Sequence, residues 1–366
     1  MIRLVPRTQF GFWPTVFPLL IALALTIVVG FLVMLAMSEK PLSDIWTLLT
    51  FPWQARTASV QWGFVLQKTS YLAVIAVGLS IGFRANVWNI GAEGQFAFGS
   101  IAAFAGYLIC GMPDTVWFLP VMLAFGVLGG VLWALIPAAL RVIANTNELL
   151  VSLMLVYVAA NVLNYVTTGP WKGDPKAGQA ESDPIHQSLQ IVSIIDRTDL
   201  HWGVVISGGA ILVLAFIVLF TIFGYSLRVA QNTPRAQRFA GFSPNMTIWL
   251  SFIISGAMAG LAGAIYLSAE TGKLIQSENY LNGLGFTAIV IAFLGRLHPI
   301  GIVAAAFLIS YVNVGATYVQ SASGVDDAVA DLVQVTALFA VLGTAFLARY
   351  RVVFGTQALL SERTAS

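Results

Sequence analysis

The chain is 366 residues long, 58% hydrophobic and only 9% charged, with a mean hydropathy of +0.85. A soluble domain carries roughly a quarter charged residues because its surface must face water, so an ordinary soluble enzyme is excluded and lipid is the expected surroundings. Sixteen acids against eighteen bases leave a net charge of +2, without the basic stripe of a nucleic-acid binder, so no nucleic acid is expected as a partner.

In chain order, residues 1–14 carry Arg3 and Arg7 ahead of the apolar run Thr15–Met37. That run is about 23 residues long and ends without a small-residue cleavage pattern, so it reads as an uncleaved first span. Further runs suited to a ~30 Å hydrocarbon layer are Thr69–Phe83, Ala92–Cys110, Val116–Leu140, Leu149–Thr167, Trp202–Phe223, Thr247–Leu267, Gly283–Leu294, Ile300–Tyr318 and Leu332–Ala348. The expected fold is an all-α polytopic membrane protein with about ten transmembrane helices over residues 15–348. An outer loop is expected at 169–200, a cytoplasmic segment at 225–243, and a cytoplasmic tail at 349–366.

Charge sets the orientation. With the N-terminus in the cytoplasm, Arg3, Arg7, Arg84, Arg141, Arg228, Arg235, Arg238, Arg296, Arg349, Arg351 and Arg363 fall inside, against seven bases and thirteen acids outside. This agrees with the positive-inside bias and predicts two cytoplasmic termini. Glu93 and Glu148 are left at the inner ends of spans three and five, where a helix N-terminus favours a carboxylate; a proton relay is the competing reading.

Little points to enzyme chemistry. Cys110 is the single cysteine, reads as core packing and rules out an intramolecular disulfide. His186, His201 and His298 lack ligand partners at metal-binding spacing, so no metal site is expected. The segment Gly63 to Thr69 lacks the second glycine of a phosphate loop, and Lys68 reads as snorkelling at the outer end of span two. ATP hydrolysis, if transport needs it, belongs to another chain.

The cytoplasmic segment has the grammar of one short helix. Thr233 suits the cap, Pro234 the first helical position and Gly241 the left-handed stop, giving a helix from Pro234 to Ala240. Arg235 and Arg238 share one face, and Ala236, Phe239 and Ala240 form a small apolar one. Two turns are not stable alone, so this helix either lies on headgroups or docks into a cytoplasmic partner.

Four strings then carry a resemblance: Arg84-Ala-Asn-Val-Trp-Asn-Ile-Gly-Ala-Glu-Gly-Gln95, Asn147-Glu148 with the following apolar run, Asn232-Thr-Pro-Arg-Ala-Gln-Arg-Phe-Ala-Gly241, and Gly285 to Gly301. In this order they resemble permease subunits of ATP-binding-cassette importers of the branched-chain amino acid, ribose and nucleoside type, closest to the larger permease of the simple-sugar and purine nucleoside branch. The resemblance implies a separate ATP-binding subunit that carries ATP and Mg, a second permease with a heterodimer favoured over a homodimer, and an extracytoplasmic solute-binding protein. It implies a multi-pass protein of the bacterial inner membrane, a transport subunit rather than an enzyme, with no cofactor bound by this chain. It also places Thr233, Pro234, Arg235, Ala236, Arg238, Phe239 and Gly241 in the helix that couples to the ATPase.

Two apolar runs, Thr69–Phe83 and Gly283–Leu294, are too short to cross. They are read as broken or re-entrant helices flanking the path, or as helices that extend beyond their apolar runs. The candidate path residues are Asn86, Asn89, Glu93, Gln95, Asn161, Asn164, Tyr165, Phe286 and Thr287, each also readable as a helix–helix hydrogen-bonding or packing group. The set is dominated by uncharged groups, with no base mid-span to balance a carboxylate, which favours a neutral nucleoside or sugar. A branched-chain amino acid permease and an ion-driven secondary transporter are the alternatives. The small-residue stripe Ser255, Gly256, Ala259, Gly260 and Gly263 is open to packing within the chain or between subunits.

Overall fold

A computed structural model describes residues 2–6, 40–53, 58–173, 180–195, 198, 200–231, 234–323 and 350–354, with isolated positions at 24, 28, 29, 32, 35, 335, 336, 339 and 340. The expected first and last spans, Thr15–Met37 and Leu332–Ala348, lie outside these apart from the isolated positions. The helices are α1 (Pro41–Thr50), α2 (Ala58–Arg84), α3 (Ala92–Ile109), α4 (Leu119–Ala144), α5 (Glu148–Thr168) and α6 (Trp202–Phe220). They continue as α7 (Ile222–Ala230), α8 (Pro234–Phe239), α9 (Pro244–Tyr266), α10 (Ser277–Tyr280), α11 (Leu284–Leu294) and α12 (Pro299–Ser323). Among the described residues six helices are long and apolar enough to cross a membrane, beginning at Ala58, Val116, Glu148, Trp202, Pro244 and Pro299. The all-α polytopic expectation meets one addition: β1 (Ile2–Pro6) pairs antiparallel with β2 (Tyr350–Phe354). Nothing local in either sequence announces a partner nearly a whole chain away.

The chain forms two compact units, residues 1–58 with 311–366, and residues 59–310. In the first, Phe51 is fully buried against the rings of Tyr311 and Tyr318 at 5.2 and 5.7 Å, and the Tyr311 hydroxyl donates to the Leu49 carbonyl at 2.6 Å.

The second unit is organised where α3, α4 and α9 meet. Gly99, Gly126, Gly130, Gly256 and Gly260 press backbone against backbone there, leaving no room for a Cβ. Lipid supplies no hydrophobic drive between helices, so close backbone approach and its dispersion energy hold them. The glycine stripe of α9 therefore packs within the chain. Aromatic stacking adds to this, with Phe98 on Trp133 at 4.0 Å between α3 and α4.

The two short apolar runs turn out differently. Thr69–Phe83 is the C-terminal part of the 27-residue helix α2, whose earlier turns hold Gln61, Gln67 and Lys68. Protein shields those groups, so hydropathy underestimates the helix and the broken-helix expectation fails here. Lys68 accordingly sits well inside α2, half-buried, rather than at its end. By contrast α11 has 11 residues, about 16 Å at 1.5 Å per residue, or half a hydrocarbon layer. Cys110, expected in the core, is exposed because it lies just past the end of α3.

Candidate functional site

The segment at 225–243 forms α8 with the predicted proline start and glycine stop, one residue short of the expected end. Gly241 adopts φ +80°, its N–H donates to the Arg238 carbonyl at 3.0 Å, and the Phe242 N–H donates to the Gln237 carbonyl at 3.0 Å. These are the paired bonds of a left-handed helix stop, a conformation that side-chain-bearing residues rarely adopt. Gln237, 3% exposed, pins the helix by donating to the Thr247 hydroxyl on α9. Phe239 is 92% exposed and Arg238 is exposed beside it. Thr233 lies outside the described residues, as do the side chains of Pro234, Arg235 and Ala236. The packing group is thus Gln237, which the apolar-face reading overlooked.

The C-terminal ends of α2 and α11 meet close to their chain turns. Arg84 donates through Nε, at 2.9 Å, and through Nη2 to the single carbonyl of Leu297. Arg296 and Leu297 have left-handed φ of 54° and 58°, and Asn86 has 59°. Phe83 and Trp88 stack on Phe293 at 4.8 and 5.6 Å.

Of the nine candidate path residues, two, Asn89 and Gln95, form one buried assembly with Ser255. Asn89 and Gln95 exchange two amide hydrogen bonds, at 3.0 and 3.1 Å, and Asn89 also donates to Ser255 at 2.8 Å and accepts from the Gly91 N–H at 2.9 Å. Glu93, 2% exposed in the first turn of α3, accepts the N–H groups of Gly283 at 3.0 Å and of Gly285. Its carboxylate thereby caps the half-length helix α11 from a second helix start, where two positive dipole ends converge. Thr287 is also buried, Phe286 is 38% exposed, and Asn164 accepts the Ser277 N–H at 2.8 Å. Glu148 pairs with Arg141 at 3.2 Å while Asn147 caps α5 through the Leu149 N–H at 3.0 Å.

Asn161 and Tyr165 stand apart from that assembly. On α5, Leu150, Met154, Tyr157, Asn161, Tyr165 and Thr168 follow helical spacing and all are exposed, Tyr157 by 66% and Tyr165 by 69%. A face that begins apolar and ends in two phenols, an amide and a hydroxyl is poorly suited to hydrocarbon and well suited to a wet cavity or another polar surface. Asn86, exposed, accepts from the Trp88 indole at 3.3 Å and lies away from this face in sequence and in helix.

A further polar group escaped the sequence reading. Gln67 donates to Tyr71 at 3.2 Å and to Glu270 at 3.0 Å, and Tyr71 contacts His201 Nε2 at 3.0 Å. His201 Nδ1 accepts the Gly203 N–H at 3.0 Å, so in the neutral ring Nε2 carries the proton and donates to Tyr71. Burial lowers the His201 pKa to about 4. Among the described residues no group of three His, Cys, Asp or Glu could hold a metal ion.

This architecture is that of a polytopic permease, and comparison places it. Residues 62–342 match the family model described as branched-chain amino acid transport system / permease component, and the chain belongs to that family. It is 30% identical to the guanosine ABC transporter permease protein NupP of Bacillus subtilis over 86% of this chain and 89% of that one. The glucose ABC transporter permease protein TsgB13 of Haloferax volcanii is 26% identical, covering 96% and 93%, and the nucleoside ABC transporter permease protein NupB of Lactococcus lactis is 26% identical, covering 81% and 82%. The chain is thus a multi-pass membrane transport subunit of an ATP-binding-cassette system, not itself an enzyme.

Proposed function

We propose that this chain forms half of the path by which an importer of the bacterial inner membrane takes up a neutral nucleoside or simple sugar, with ATP and Mg held by a separate ATP-binding subunit. The observation that carries the coupling role is α8: a two-turn helix with a proline start, a glycine stop and a buried pin at Gln237, holding Phe239 out at 92% exposure. A ring held so far from its own chain fits a cleft on the ATPase, with Arg235 and Arg238 meeting acidic groups beside it. ATP-driven closure of that partner would push on α8 and through Thr247 on α9, exchanging outward-open and inward-open states.

The exposed stripe of α5, with Asn161 and Tyr165, lines the path against a second permease, a different chain in this reading. Guanosine and glucose in the relatives' names support a hydroxyl-bearing solute over a branched-chain amino acid. A solute-binding protein delivers it to the 169–200 loop. Ten spans with both termini cytoplasmic, and a membrane domain over 15–348, complete the proposal. The β1–β2 pairing supports it, because paired ends share one side and require an even number of crossings between them.

The test is Arg235→Glu combined with Phe239→Ala in proteoliposomes of the whole complex. Solute-stimulated ATPase and uptake should fall about a hundredfold or more while the permease still inserts; unchanged uptake refutes docking through α8.

A further inference from the structure

We propose that the buried polar group beside the π-helical turn Leu267–Thr271 binds the vicinal hydroxyls of the solute's sugar, with Gln67, Glu270 and Tyr280 as the recognising groups. This rests on the transport reading above and names its substrate chemistry.

Gln67 is 4% exposed and its orientation is fixed, since its amide nitrogen bonds both Glu270 and Tyr71. Its Oε1 is left buried with no partner. Tyr280 is fully buried, and its hydroxyl meets Ser100 and Thr271 without full hydrogen-bond geometry to either. Thr271 Oγ1 is buried and unpartnered as well. Three orphaned oxygens beside one carboxylate need an explanation, because nine in ten or more buried polar groups are satisfied.

Glu270 itself is exposed and stands at the surface edge of this otherwise buried group. Tyr71, Tyr266 and Tyr280, all buried, pack beside it, their rings meeting edge to face at 5.6 and 5.2 Å. The exposed residues Asn282 and Phe286 follow at the start of α11. Between the π-turn and α11 the chain is irregular apart from the single turn α10. Irregular backbone at membrane depth is tolerated where protein buries it or a cavity wets it, and half-length helices mark solute sites.

The donor and acceptor pattern selects the ligand. A carboxylate and an amide oxygen accept two O–H donors, and the hydroxyls of Tyr280 and Thr271 return protons to the same ligand oxygens. A vicinal diol matches that set, and guanosine and glucose both carry one. A metal cation suits it less, because Lys68 already stands in the field of Glu270. The π-turn belongs to this picture, since such turns gather at functional positions and this one carries Glu270.

The experiment is equilibrium binding to the permease–ATPase complex in nanodiscs, without the solute-binding protein, of labelled guanosine and 2′,3′-dideoxyguanosine and of the corresponding glucose pair. Guanosine or glucose should bind at least about tenfold more tightly than its dideoxy partner. Gln67→Leu should erase most of that ratio. Tyr280→Phe, which keeps the ring and so the packing, should reduce it severalfold, with dideoxy binding at the parent level in both. Equal binding of both members of a pair, no binding of either sugar, or variants that keep the parent ratio overturn the proposal and leave a water-filled structural network. Uptake by the parent complex with its binding protein is measured in parallel. No uptake of any solute defeats the transport reading, whereas uptake without diol discrimination defeats this site alone.

Discussion

The meeting point of α3, α4 and α9 and the surroundings of Glu270 are built from the same α9 helix and its continuation, yet they are finished differently. At the first, glycines close the gaps and the Asn89–Gln95 amides satisfy each other, with Ser255 and the Gly91 N–H completing the set. At the second, Gln67, Thr271 and Tyr280 each keep an unfilled oxygen, whereas on α4 and α9 the unpartnered groups, the Trp133 indole and the Ser251 hydroxyl, lie outside the amide set. A buried polar assembly that closes on itself specifies a fold, whereas one with open valences is shaped for something else.

The contrast is broken most severely at its tightest point. Gly260→Val places a branched side chain against the backbone of Gly126 and Gly130, and should cost more than about 4 kcal/mol, enough to abolish a monodisperse species after detergent extraction. Normal recovery would show that these helices do not pack as described. Asn89→Ala strands the Gln95 amide and the Gly91 N–H, so the thermal midpoint in detergent should drop by the equivalent of roughly 2–4 kcal/mol. Gln67→Ala should lower it less, because one of its two polar ends already lacks a partner.

His201 sharpens the comparison through pH. Its folded pKa of about 4 lies below the ordinary value of 6.5, so between those values the unfolded chain binds more protons. Stability is therefore complete above pH 6.5 and declines as pH falls toward 4, by about 1–3 kcal/mol in all. Thermal melts of parent and His201→Asn should diverge in that window and run parallel above it. The smallest change in stability is expected on α5: Tyr157→Phe and Tyr165→Phe should leave the melting temperature within a degree or two and lower uptake severalfold. A stability loss of several degrees would move that face out of the path.

Legibility followed the range of the interaction. The Pro234 start and Gly241 stop were readable because caps are decided within a few residues. The 12-residue apolar run Gly283–Leu294 foretold a half-length helix. Hydropathy failed on α2, where Gln61, Gln67 and Lys68 are shielded by neighbouring helices rather than avoided. The Gln67–Glu270 bond joins residues 203 positions apart, and the β1–β2 pair joins the two ends of the chain; no period or cap encodes either. Reading Cys110 as core mistook the last residue of an apolar run for an interior one.

The loosened winding at Leu267–Thr271 has a consequence for how this molecule tolerates change. A π-turn holds one residue more than the regular helix, and each residue advances the bearing of every later side chain by about 100°. Deleting one residue there would leave the glycine seam of α9 in place but swing Glu270 away from Gln67. A shortening by a single codon is thus equivalent to removing the carboxylate, while most of the helix stays where it was.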